Sequence, residues 1–123
     1  MDASDIAARL AEPYGDFPAT LARWAKAQPL AIALRDETGA LTWAEMADRI
    51  ERIAARLTED GLKRGQAVAI LGASSIPYAL VFLATVRAGG VAAPLTTSAS
   101  ADQLEEMAGD SGADHIFIDR AKL

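Results

Sequence analysis

The sequence predicts an α/β fold: a βαβαβ parallel sheet flanked by helices, with an N-terminal helix and a β-hairpin ahead of it. The stretch AVAIL at 67–71 is a continuous apolar run without alternation, as expected of a parallel strand covered on both faces. Two further short apolar runs, VAAPL at 91–95 and HIFID at 115–119, each follow a segment of helical period. Between the first two runs, an apolar helix ends at Gly89 and Gly90, which reverse the chain at low steric cost and allow a right-handed crossover back to the sheet.

The elements follow in order. A short helix is expected around Asp5–Leu10, and EPYGDFP after it has turn chemistry. Pro18 suits a first helical turn, and Phe17, Leu21, Trp24 and Ala25 recur at helical spacing until Pro29 forbids continuation. LAIALRD and ALTW flank ETG as the two strands of a hairpin. Thr42 with Glu45 is a capping box, in which hydroxyl and carboxylate each satisfy an orphan backbone donor. The long helix it opens carries a stripe of Met46, Ala47, Ile50, Ile53, Ala54 and Leu57. Glu45 with Arg49 and Asp48 with Arg52 place opposite charges four apart on its wet side, and Gly61 is a left-handed stop. Ser75 caps the next helix with Pro77 in its first turn; Tyr78–Val86 is apolar nearly all round, which predicts an enclosed helix. Ser100 with Gln103 is a second capping box, Leu104, Met107 and Ala108 face inward, and Gly112 closes the last helix before HIFID.

Residues 1–16 are expected to form a flexible N-terminal segment and 17–123 a single folded unit. A chain of 123 residues, half of them apolar and 24% charged, is long enough to build a core. The net charge of −5, with basic residues scattered, argues against nucleic acid or an anionic membrane surface as the main partner. There is no cysteine, which closes sulfur redox chemistry and thiolate metal sites and fits a cytoplasmic location. The acidic start lacks the pattern of a signal peptide, and the longest apolar stretch, Ile76–Val86, falls short of the ~20 residues that a membrane-spanning helix needs.

Several residues invite chemistry. ILGASSIP sets Gly72, Ser74 and Ser75 between a strand and a helix N-terminus, where amides and dipole can hold a phosphate. A dinucleotide fingerprint needs three glycines, however, and a P-loop needs a lysine, so capping by Ser75 is the stronger reading. Thr96, Thr97, Ser98 and Ser100 also lack accompanying glycine and lysine, and they read as a loop leading to a cap. His115, the only histidine, has no partners for a metal site or a triad and reads as a partly buried strand residue. Glu105, Glu106, Asp110, Asp114 and Asp119 read as a solvated face, and no G-x-S-x-G elbow activates Ser74 or Ser75. No catalytic, cofactor-binding or metal-ligating residue is therefore assigned.

Four stretches together resemble the N-terminal portion of the adenylate-forming (AMP-binding) superfamily, most closely acyl-CoA synthetases. LTWAEMADRIERIAARL is similar to that family's T-Y-x-E-L opening and amphipathic helix, and DGLKRGQAVAIL to its G-V-K-P-G-D-x-V-A-I turn and strand. PYALVFLATVRAGGVAAPL resembles E-Y-x-x-x-F-L-A-x-x-x-A-G-x-x-x-x-P-L, and SADQLEEMAGDSGADHIFID resembles the helix and strand ending in D-S-G-A-K-x-x-I. The register holds from Leu41 to Asp119. Arg64, Gln66 and Ser74 stand where the family often has proline, aspartate and asparagine, and Thr96 and Thr97 replace its frequent N-P.

The resemblance implies a parent enzyme that makes an acyl-adenylate and pyrophosphate from a carboxylate and ATP with Mg²⁺, then passes the acyl group to a thiol, usually coenzyme A. It further implies that the family's phosphate loop and lysine, adenine motif, ribose aspartate and C-terminal lysine lie beyond this sequence. The expectation is thus a scaffold fragment of a larger N-terminal domain that binds no cofactor itself. Its expected partners are the remainder of the parent enzyme and, through uncovered apolar surface, a second copy of itself. The alternatives are a stand-alone noncatalytic α/β interaction module and part of a peptide-synthetase adenylation domain.

Overall fold

A computed structural model describes residues 2–12 and 16–119. The turn read around Pro13 to Gly15, and the expected folded unit past Asp119, lie partly outside those residues. The chain runs α1 (Ala3–Leu10), α2 (Phe17–Ala27), β1 (Ile32–Asp36), β2 (Gly39–Thr42), α3 (Trp43–Glu59), β3 (Ala67–Leu71), α4 (Ile76–Arg87), β4 (Val91–Pro94), α5 (Ala101–Ser111) and β5 (His115–Ile118). α1 starts earlier than its apolar spacing suggests because Asp2 caps it, in a box with Asp5. In the same way Asp16 accepts the Ala19 amide and lets α2 begin at Phe17, with Pro18 in its first turn.

β1 and β2 pair antiparallel, while β3, β4 and β5 form a parallel sheet in the order β4-β3-β5. The expected βαβαβ unit with a hairpin is therefore the observed architecture, and AVAIL is its middle strand. Val68, Ala69 and Ile70 are buried there, as a strand flanked on both edges requires.

α3 joins the hairpin to the sheet. Its Thr42 hydroxyl accepts the Glu45 amide and its Glu45 carboxylate accepts the Thr42 amide, at 3.1 and 3.0 Å. Glu45 is thereby turned back to its own cap, with Arg49 near enough to favour its charged form, and Asp48 and Arg52 meet at 3.0 Å. Met46, Ile50 and Ala54 pack with Leu41 of β2 and with Leu80 and Ala84 of α4. One turn on, Leu57 packs with Leu62, Val68 and Ile70, so a single apolar stripe serves two clusters. Gly61, at φ +100°, ends the helix and lets the Leu62 amide reach back to the Leu57 carbonyl at 2.9 Å.

The two glycines after α4 have different duties. Gly89 takes the left-handed turn at φ +86°, while Gly90 is a close approach: a Cβ there would meet Leu62 Cδ2 at 3.0 Å, the Gln66 carbonyl at 3.1 Å and Thr85 Cγ2 at 3.1 Å. α4 is less enclosed than its composition suggests. Leu80, Ala84 and Thr85 are buried, but Tyr78, Val81, Phe82 and Leu83 are only half-buried. Leu104, Met107 and Ala108 of α5 are likewise half-buried, and Gly112 closes that helix in the left-handed conformation.

Candidate functional site

Open parallel sheets bind ligands at the carboxyl ends of their strands, so the ends of β3 and β5 are the place to look. A cavity of about 270 Å³ lies there, walled by Ile70, Tyr78, Val81 and Phe117, with Ser75 and Asp119 among its polar members. Gly72 is at its edge. A Cβ on Gly72 would come within 3.0 Å of the Asp119 Cβ, so the glycine lets β5 close against the end of β3.

The start of α4 borders this cavity, and its donors are already engaged. Ile76 donates its amide to Asp36 Oδ2 at 2.9 Å, Pro77 has none to give, Tyr78 donates to Ser75 Oγ at 3.3 Å, and Ala79 to the Ser75 carbonyl at 3.1 Å. Asp36 ends β1 at the hairpin turn. Its Oδ1 accepts the Thr38 hydroxyl at 2.6 Å and the amides of Thr38 and Gly39 at 2.8 and 3.1 Å. The Thr38 hydroxyl first, and then the Ile76 amide, hold the Asp36 carboxyl below its ordinary value of 3.8. In the first turn of α4 the amides thus face bonded partners, one of them the Asp36 carboxylate.

The remaining candidates do not converge. Thr96 and Ser98 share a hydroxyl–hydroxyl bond of 2.9 Å, Ser98 donates its amide to Thr96 Oγ1, and Ser100 with Gln103 forms the cap of α5. His115 is half-buried in β5 opposite Val68, in keeping with its reading as a strand residue. Glu105, Glu106 and Asp110 are exposed on α5, while Asp114 accepts the Gln66 amide group at 3.4 Å and Asp119 lines the cavity. Among the described residues no group of three or more His, Cys, Asp or Glu could hold a metal ion. No helix among them is long and apolar enough to cross a membrane.

Asp36 is the residue at this site that sequence reasoning passes over. Its local half was visible, since Asp-x-Thr-Gly is a turn-forming sequence. Its bond to Ile76, 40 positions away, was not.

The family model described as AMP-binding enzyme matches residues 21–123. The chain is 36% identical to feruloyl-CoA synthase of Amycolatopsis over 91 residues, which is 74% of this chain and 18% of that protein. It is 33% identical to surfactin synthase subunit 2 of Bacillus subtilis over 94 residues, 76% of this chain and 3% of that one. The fold superposes on a benzoate CoA ligase from Burkholderia xenovorans with a TM-score of 0.83 at 23% identity, covering 89% of this chain and 22% of the other. The chain thus spans under a fifth of the length of these two sequence relatives.

Proposed function

The chain belongs to the AMP-binding enzyme family, and from that premise we propose that it is a scaffold portion of an ATP-dependent, AMP-forming acyl-CoA synthetase. In the parent reaction the carboxylate attacks the α-phosphorus of ATP and pyrophosphate leaves; the thiolate of coenzyme A then attacks the acyl carbon and AMP leaves. These 123 residues have no ligase activity of their own. The observation that carries this part of the reading is the start of α4, where the amides that could cradle a phosphate are taken by Asp36 and Ser75. The rest of the parent enzyme, working in the cytoplasm, supplies the groups that hold ATP and Mg²⁺.

A second reading, an adenylation domain that loads a carrier-protein thiol, is favoured by the likeness to surfactin synthase subunit 2. It differs only in the acceptor. Exchange of labelled pyrophosphate into ATP, measured with the purified 123-residue chain and a panel of aliphatic and aromatic carboxylates, tests the inactivity. No exchange is expected, and exchange above the protein-free blank overturns it. An open reading frame that continues past codon 123 into a glycine-rich loop and lysine supports the synthetase reading; a stop codon there favours the stand-alone module.

A further inference from the structure

We infer that Gln66 and Asp114 form a matched amide–carboxylate pair that pins the register of β5 on β3. The strand itself has little means of choosing one. HIFI is apolar at three successive positions, and Ile116, Phe117 and Ile118 are 50%, 37% and 44% exposed, so burial does not favour one face over the other. In a strand of that kind a one-residue slip turns every side chain over at small cost. β3 does not discriminate either, since AVAIL is apolar throughout. Two polar side chains stand just ahead of the ladder: Gln66 directly precedes β3, and Asp114 directly precedes β5.

The orientation of the Gln66 amide group is settled by its other partner. The Lys63 amide can only donate, and it donates to Gln66 Oε1 at 2.8 Å, so the oxygen is committed to the α3–β3 turn and the NH2 group points elsewhere. That NH2 group donates to Asp114 Oδ2 at 3.4 Å, across 48 positions of sequence. The Gln66 backbone is held as well: its amide donates to the Lys63 carbonyl at 3.0 Å, and its carbonyl accepts the Val91 amide at 2.8 Å at the start of β4. Position 66 is thus fixed from two sides, and the donor it presents to the α5–β5 loop requires an acceptor at position 114. A slip of one residue carries Asp114 about 3.3 Å along the seam and turns its carboxylate to the other face, so the pair exists only with Val68 opposite His115. Asp114 is exposed, so the bond adds little stability; its effect is on which register is populated.

Exchanging the two functional groups, which leaves the net charge unchanged, tests the match. Gln66→Glu keeps an oxygen for the Lys63 amide but sets a second carboxylate against Asp114. The folding equilibrium constant of the 123-residue chain, from urea unfolding, should fall about 2- to 5-fold. Asp114→Asn alone still offers a carbonyl oxygen to Gln66 and should change that constant by less than about 2-fold. Combining Gln66→Glu with Asp114→Asn restores a donor opposite an acceptor, with the roles exchanged, and should recover most of the loss. Lys63 and Arg64, the charged neighbours in the turn, act on the new carboxylate alike in the single and the double variant, so the recovery isolates the contact with position 114. Amide hydrogen exchange should show β5 loosened more than β4 in Gln66→Glu and returned to wild-type protection in the double variant. A double variant as weak as Gln66→Glu overturns the inference, as does a Gln66→Glu chain that neither loses stability nor loosens β5. If Gln66→Glu fails to fold by circular dichroism, folding regained in the double variant supports the pair, and folding not regained refutes it.

Discussion

The Asp36 carboxylate accepts the Ile76 amide at 2.9 Å, tying the hairpin turn to the first residue of a helix 40 positions further along the chain. The same side chain closes its own turn through Thr38 and Gly39, so one ionised group organises two parts of the fold.

Because these bonds favour the ionised form, the Asp36 carboxyl lies below its unfolded value of 3.8. Its contribution is complete above that value and is lost as pH falls through the lower, folded value. Asp36→Ala should lower the midpoint of thermal unfolding at neutral pH, and the difference from wild type should shrink as the solution is acidified toward pH ~3. A difference that stays constant or grows on acidification contradicts the assignment.

Two glycines should respond to alanine in opposite directions. At Gly90 a new Cβ enters the narrow space between Leu62, Gln66 and Thr85, and destabilisation of about 1–3 kcal/mol is expected. Gly109 lies in α5 with nothing within 4 Å of the added atom, so alanine there should stabilise by roughly 0.5–1 kcal/mol through helix propensity. Urea unfolding of both variants gives the comparison, and equal signs would contradict the packing described for Gly90.

Met46 is 2% exposed at the junction of α3, β2 and α4. Met46→Ala should cost about 2–5 kcal/mol in urea unfolding, with a lower midpoint and an unchanged slope. A change below ~1 kcal/mol would show that this cluster collapses around the gap.

Local chemistry was the legible part of the sequence. Thr42 with Glu45, and Ser100 with Gln103, sit three apart, and both form the reciprocal caps that this spacing implies. The lack of alternation in AVAIL was enough to place it at the centre of a sheet. The caps at Asp2 and Asp16 were missed because sequence reading followed the apolar spacing, while the helices begin where an acid can take up a free amide. Gly90 was legible as a turn former but not as a packing site, since its neighbours come from three other places in the chain. The same limit hid the cavity beside α4. An apolar helix reads as enclosed whether or not its neighbours suffice to cover it, and Tyr78 and Phe82 are left half-covered.

The sheet order β4-β3-β5 also bears on how the chain is made. The innermost strand is the first of the three to leave a ribosome, and each of its flanks waits for a strand synthesised later. Once Val91–Pro94 has left the ribosome and paired, one side of β3 is sealed, while the other stays bare until His115–Ile118 follows. In that interval the seam is an uncovered strand edge, the kind of surface on which a wrong strand can pair.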